Sequence, residues 1–228
     1  MNLSYRFSIA LLLSTISLIG GENLIPSGGN PADFFLVQSE GKGEGELNIS
    51  SGSEGGTLIY TGRRGNITLA RFAPGGKSVE TLANRVSLTF QIDGTGSLGL
   101  FVRSTEESAY LVLLNRSAEG QGSFRLFKRP ASSQAGFTSG VLASQTFEWP
   151  QVGDWCHLAL ELANQPDDSV VIQAAITDAT KSLVTEINKS DVKAPLLNPG
   201  SIALRFYASE TRPATIKVRE FSFLPPAQ

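Results

Sequence analysis

The sequence contains one cysteine, one histidine and only 18% charged residues among 228. With Cys156 alone no intramolecular disulfide can form, and with His157 alone no multi-histidine metal site can be built. The 19 Lys and Arg are nearly matched by 21 Asp and Glu, for a net charge of −2. Neither that balance nor any basic run supplies the field that phosphate binding needs, so nucleic acid is not an expected partner. No element of ten or more residues shows helical apolar spacing, and after the first twenty residues no run is long and apolar enough to span a bilayer. Catalytic signatures are missing too: there is no G-x-S-x-G, no P-loop and no glycine fingerprint opening a helix.

What is there begins with a leader. Met1–Arg6 carries positive charge, Phe7–Ile19 is uncharged and apolar, and Gly20–Gly21 offers small residues for cleavage. Residues 1–21 read as a signal peptide, so the expected location is exported: periplasmic, cell-surface or extracellular. Residues 22–32 form a polar arm, and 33–226 a single β-sandwich domain, since 41% hydrophobic residues suffice for one large core.

The clearest pattern is Gly153–Asp178. Cys156, Leu158, Leu160 and Leu162 fall on one face, with Trp155, His157, Ala159 and Glu161 on the other, which is the alternation of a half-buried strand. The turn Asn164–Asp168 leads into Ser169–Thr177, predicting an antiparallel hairpin. This places Cys156 among leucines as a small buried hydrophobe, on the face opposite His157, which is poor geometry for a Cys–His dyad.

Elsewhere strand-like runs alternate with Gly, Pro and Asn turns. Asp33–Gln38, the LNIS run and Thr57–Thr61 come first, with Gly62–Gly65 (GRRG) read as a hairpin turn into Asn66–Phe72. Arg85–Asp93, Leu98–Arg103, Ala109–Asn115 and Ser123–Arg129 predict a four-stranded meander. A Ser/Gly/Ala-rich connection runs from Pro130 to about Gly140, then come Val141–Phe147 and, beyond the central hairpin, Ser182–Ile187 as a short edge. The chain closes with Ser201–Ala208 and Ala214–Leu224, the last changing phase near Glu220, where a bulge is expected. A dozen short strands predict an all-β, two-sheet antiparallel jelly-roll sandwich.

The meander SLGLFVRSTEESAYLVLLN with GSFRLFKR, then GDWCHLALEL with VVIQAAITD, PGSIALRFYA and IKVREFSF resembles the concanavalin A-like lectin and glucanase superfamily, in its laminin-G-like exported bacterial form. The resemblance covers about Asp33–Leu224 and implies a carbohydrate-related role: a lectin, a glycan-binding module, a glycosidase or an adhesion domain. A retaining glucanase of that fold would carry Glu-x-Asp-x-x-Glu on one strand, and no such run occurs; Glu106–Glu107 and Asp167–Asp168 read as turn residues. No catalytic residue and no cofactor is therefore assigned. Calcium is an open alternative through Asp93, Asp167, Asp168 and Asp178 at strand ends, without an EF-hand spacing to support it.

For glycan binding the useful types are aromatics that stack on sugar faces and side chains that hydrogen-bond hydroxyls. Arg103 (on the strand face of Phe101), Tyr110, Lys128, Arg205 and Tyr207 are the candidate ligand-binding residues, forming a patch if they share the solvent side of one sheet. The competing reading has Phe101 and Tyr207 in the core, with the cations reaching outward from strand ends. The expected function is a non-catalytic binding module for a carbohydrate or cell-surface polymer. A protein-contacting adhesion domain and a glycan-processing hydrolase are the alternatives. Asn48, Asn66, Asn115 and Asn188 each open an N-x-S/T sequon.

Overall fold

A computed structural model describes residues 23–52, 55–129, 140–151 and 153–224. Residues 1–21, read from the sequence as a signal peptide, and the Ser/Gly/Ala-rich connection at 130–139 lie outside the described residues. Among the described residues, fifteen strands run in chain order: β1 (Phe35–Glu40), β2 (Gly45–Ser50), β3 (Thr57–Gly62), β4 (Ile67–Phe72), β5 (Glu80–Thr81), β6 (Arg85–Gly94), β7 (Gly96–Ser104), β8 (Ala109–Arg116), β9 (Gln121–Arg129), β10 (Val141–Glu148), β11 (Cys156–Asn164), β12 (Val170–Thr177), β13 (Leu183–Asp191), β14 (Gly200–Ala208) and β15 (Ala214–Leu224).

They form two antiparallel sheets. The eight-stranded sheet has the order β1-β4-β14-β7-β8-β9-β10, with β5 pairing to β14; the seven-stranded sheet runs β13-β12-β11-β6-β15-β3-β2. The all-β sandwich expected from period-two alternation is thus observed. Alternation is also what fills its core: Leu88, Phe90, Leu158, Leu160, Ile172 and Ile216 point inward from one sheet, to meet Leu100, Val112, Phe124, Leu126, Leu204 and Phe206 from the other. Each such side chain removed from water contributes about 1.5–3 kcal/mol, so the sandwich holds without a disulfide. Cys156 is buried among them as a free thiol, its pKa pushed up to about 11, mainly by burial.

The central hairpin forms as expected, β11 against β12 from His157 with Thr177 to Asn164 with Val170. Two pairings differ from expectation. The GRRG turn does not close a hairpin: β3 pairs with β2 and β15, while β4 pairs with β1 and β14 in the opposite sheet. The meander likewise loses its first member, because β6 lies between β11 and β15 and only β7, β8 and β9 are consecutive, with β10 as the fourth. In both cases the turn passes the chain over the edge of the sandwich, and local turn chemistry looks the same whether it joins strands within a sheet or between sheets. The phase change in β15 is a bulge: Glu220 has a φ of 53° and the register against β6 shifts between Arg219 and Ser222.

Candidate functional site

Because antiparallel partners share a face, the register of the eight-stranded sheet fixes which side chains line its outer surface. Leu204, Phe206 and Ala208 of β14 join the inner core, so Ala203, Arg205 and Tyr207 point out. Reading across the pairings gives three outer rows. The first is Glu40, Ile67, Tyr207, Ser97, Asn115, Ser123 and Thr146; the second is Gln38, Leu69, Arg205, Gly99, Leu113, Arg125 and Ser144. The third is Leu36, Arg71, Ala203, Phe101, Leu111, Phe127 and Val141. At about 4.8 Å per strand, a row of seven spans about 29 Å, enough for several linked sugar rings.

The rows differ in character. Phe101, Leu111 and Phe127 of the third are buried in a second apolar cluster with Ala109, Leu113 and Ala203. The first is polar and open toward β10, where Asn115 and Thr146 are exposed and Ser123 is half-buried. At this end a cavity of about 360 Å³ is lined by Gln121, Thr146, Phe147 and Glu148. Its wall depends on Gly122: Phe147 pairs with Gly122, and a Cβ there would lie 2.4 Å from the phenyl ring. Phe147 in turn stacks on Trp149 at 5.2 Å, and Trp149 meets Phe90 edge-on at 6.2 Å, fixing this rim to the core.

The five residues singled out from the sequence do not form one patch. Arg205 and Tyr207 are on the outer face, with the Arg205 guanidinium 5.7 Å from the Tyr207 ring centre and Nη1 donating to Ser97 Oγ at 3.3 Å. Burial, then the like charge of Arg129, pull Arg205 down to about 10, so it stays cationic at neutral pH. Arg103, Tyr110 and Lys128 lie between the sheets at one end of the sandwich instead. Tyr110 Oη donates to Asp191 Oδ2 at 2.8 Å and accepts from the Leu196 N–H at 3.0 Å. Burial raises the Tyr110 pKa well above the phenolic range. Lys128 Nζ donates to both oxygens of Asp191, at 2.9 and 2.7 Å, to the Ala194 carbonyl at 3.1 Å and to that of Lys193.

Arg103 is 1% exposed, with Nη1 donating to Asn164 Oδ1 at 2.6 Å and to the Leu196 carbonyl at 2.7 Å. Its Nε and Nη2 have no hydrogen-bond partner among the described residues. Phe101 and Arg103 do not share a face, because the β7 to β14 register shifts between Ser201 and Ala203. Arg103 there takes a φ of 49°. Gly200 is required at this point, since a Cβ would lie 2.3 Å from the Arg103 carbonyl carbon. Sequence alternation could not place these three residues, because the partners that hold them inward are distant in the chain: Asp191 on the facing sheet for Tyr110 and Lys128, 81 and 63 residues away, and Asn164 with the Leu196 carbonyl for Arg103, 61 and 93 residues away.

Asn115, Ser123, Arg125, Gln121 and Thr146 were not singled out from the sequence. Their legible signal is the unbroken polar alternation of β9, where Gln121, Ser123 and Arg125 alternate with Gly122, Phe124 and Leu126. Of the sequon asparagines, Asn66 is 3% exposed and held by Tyr60, while Asn48, Asn115 and Asn188 are exposed.

The geometry offers little for hydrolysis. Within the three rows the one carboxylate is Glu40 on edge strand β1; Glu148, paired with Gln121, sits on the opposite edge strand. A span of roughly 29 Å is far beyond the 5–10 Å at which two carboxyls flank a glycosidic bond. Among the described residues, no three His, Cys, Asp or Glu side chains are grouped to hold a metal ion.

Comparison with known proteins places this architecture. No protein-family model matches the chain, and no curated protein sequence does. Among solved structures, the carbohydrate recognition domain of Emp46p superposes with a TM-score of 0.52 and 12% identity over 78% of this chain and 86% of that one. Its metal-free form gives 0.50 and 10% over the same shares. The beta-glucanase of Bacillus licheniformis gives 0.47 and 11%, covering 90% and 99%. The fold is therefore the concanavalin A-like two-sheet sandwich, shared with the Emp46p carbohydrate recognition domain.

Proposed function

We propose that this protein is an exported, non-catalytic carbohydrate-binding module that lays an oligosaccharide across the strands of its eight-stranded sheet. The observation that carries the reading is the polar outer row ending in the Gln121, Thr146, Phe147 and Glu148 cavity. Amide, hydroxyl and carboxylate groups spaced one strand apart suit the alternating hydroxyls of a sugar chain, and the Tyr207 ring offers apolar surface for a pyranose face. The fold shared with the Emp46p carbohydrate recognition domain supports the reading. A protein-docking role has less behind it, since the exposed large apolar side chains Leu36, Val37, Val141, Leu183 and Val192 lie on or beside separate edge strands.

The test is affinity electrophoresis and calorimetry against a panel of soluble polysaccharides. Binding by at least one, weakened ten-fold or more in the Asn115→Ala/Thr146→Ala double variant, is the expected result. Absence of binding across the panel, or binding indifferent to that pair, overturns it. Neutral Glu148→Gln protein that loses a glycan-cleaving activity would overturn the non-catalytic part.

A further inference from the structure

Among the described residues each sheet ends in two edge strands, β1 and β10 in one and β13 and β2 in the other. An edge presents unpaired backbone N–H and C=O groups, which soluble proteins blunt with charge, proline, a bulge or a covering element. Three of these edges are blunted. β13 exposes Glu186 and Lys189, and its pairing with β12 slips between Ile176 and Thr177. β10 carries a register shift between Val141 and Ala143 and lies against β13, while the exposed positions of β2 are the polar Glu46, Asn48 and Ser50. β1 differs. Its register against β4 is unbroken from Phe35 to Glu40, its one charge is at the last position, and Leu36 and Val37 are 42% and 39% exposed. Phe35 belongs to the inner core, so Val37 shares its face and Leu36 takes the other: the edge is apolar on both sides.

The direction of its free backbone groups is fixed as well. The Ala73 N–H donates to the Phe34 carbonyl while Phe35 stands opposite Phe72, so Leu36, Gln38 and Glu40 exchange hydrogen bonds with β4. Phe35, Val37 and Ser39 turn their N–H and C=O groups to the open side. We infer that β1 pairs antiparallel with β1 of a second copy of this chain, about a two-fold axis through Val37, joining the two eight-stranded sheets into one. Val37 then stands opposite Val37, and Phe35 opposite Ser39 on either side of it, which matches the outward groups of both strands for about six backbone hydrogen bonds. The charges agree with this register. Asp33 of one copy falls opposite Gly41 of the other, next to Lys42; both are exposed and neither forms an ion pair among the described residues. Glu40 falls opposite Phe34, so no like charges meet. The axis is perpendicular to the sheet, so the outer faces of both copies point the same way, and a long polymer is held at two places rather than one. Pairing through one short strand buries less than the ~1,200 Å² of a standard stable interface, so the dissociation constant is expected on the order of 10 µM.

Sedimentation velocity of the purified protein from about 1 to 200 µM tests this, with a reversible monomer–dimer equilibrium as the expected result. Val37→Lys sets two like charges against each other on the axis and is expected to weaken the dimer ten-fold or more with an unchanged melting temperature. Asp33→Lys alone is expected to weaken it about three-fold, and adding Lys42→Asp to restore it, a rescue that an effect on folding would not produce. A chain that stays monomeric throughout overturns the inference, as does a dimer indifferent to Val37→Lys or a charge reversal that its counterpart does not rescue. None of these outcomes bears on the polysaccharide panel, so the carbohydrate reading stands or falls separately.

Discussion

Tyr110 and Asn115 lie on the same strand five residues apart and face opposite media. Tyr110 turns inward, where with Asp191, Lys128 and Arg103 it forms a polar network sealed between the sheets. Asn115 turns outward into a row of hydroxyls and amides open to solvent. The residue types overlap, and their consequences do not. An interior hydrogen bond is part of the fold, because breaking it strands a desolvated partner; an outer one is exchanged with water and is available to a ligand.

Substitutions should separate the two groups by what they change. Asp191→Ala leaves Lys128 and Tyr110 without their acceptor inside the sandwich, and is expected to cost about 3–5 kcal/mol, read as a large fall in melting temperature. Tyr110→Phe, which removes one donor to that carboxylate and the acceptor for the Leu196 N–H, is expected to cost less, about 1–3 kcal/mol, in the same melting experiment. If either matched the parent in urea and heat, the distinction drawn between the two groups would collapse. On the outer face, Asn115→Ala should shift stability by no more than about 0.5 kcal/mol while weakening glycan binding.

Titration sharpens the contrast on the other sheet. Thr89 Oγ1 donates to Glu220 at 2.5 Å and lies 3.3 Å from His157 Nδ1, and burial holds the His157 pKa below 6.5 despite the opposing pull of Glu220. The unfolded chain therefore takes up this proton first, so the contribution of His157 is intact above pH 6.5 and is lost as pH falls below it. His157→Gln should flatten that part of the stability profile measured by urea unfolding between about pH 7 and 5. The smallest effect is expected at Cys156. With its pKa near 11, about one part in a thousand is thiolate at pH 8, so a thiol reagent should modify native protein far more slowly than unfolded protein. Rapid native labelling would place the sulfur outside the core.

Much of the architecture was legible because period-two alternation is a local property. Cys156 to Leu162 announces both the strand and its buried face, and the bulge at Glu220 shows as a slipped phase. Strand partnership was less legible. The GRRG turn and the turn after Asp93 read as hairpins, yet each carries the chain from one sheet to the other. The facing of the singled-out residues was legible only in part: Arg205 and Tyr207 are on the outer face, whereas Arg103, Tyr110 and Lys128 are drawn inward by Asp191, Asn164 and the Leu196 backbone.

By itself the amino-acid order determined that this chain builds sheets and which side of most strands meets the core, because side chains on an extended backbone alternate without reference to anything distant. Which strands became neighbours, which arginine was enclosed and which was left facing outward depended on contacts between residues far apart in the chain. Those were decided only when two twisted sheets closed on each other and each buried polar group required a partner within reach.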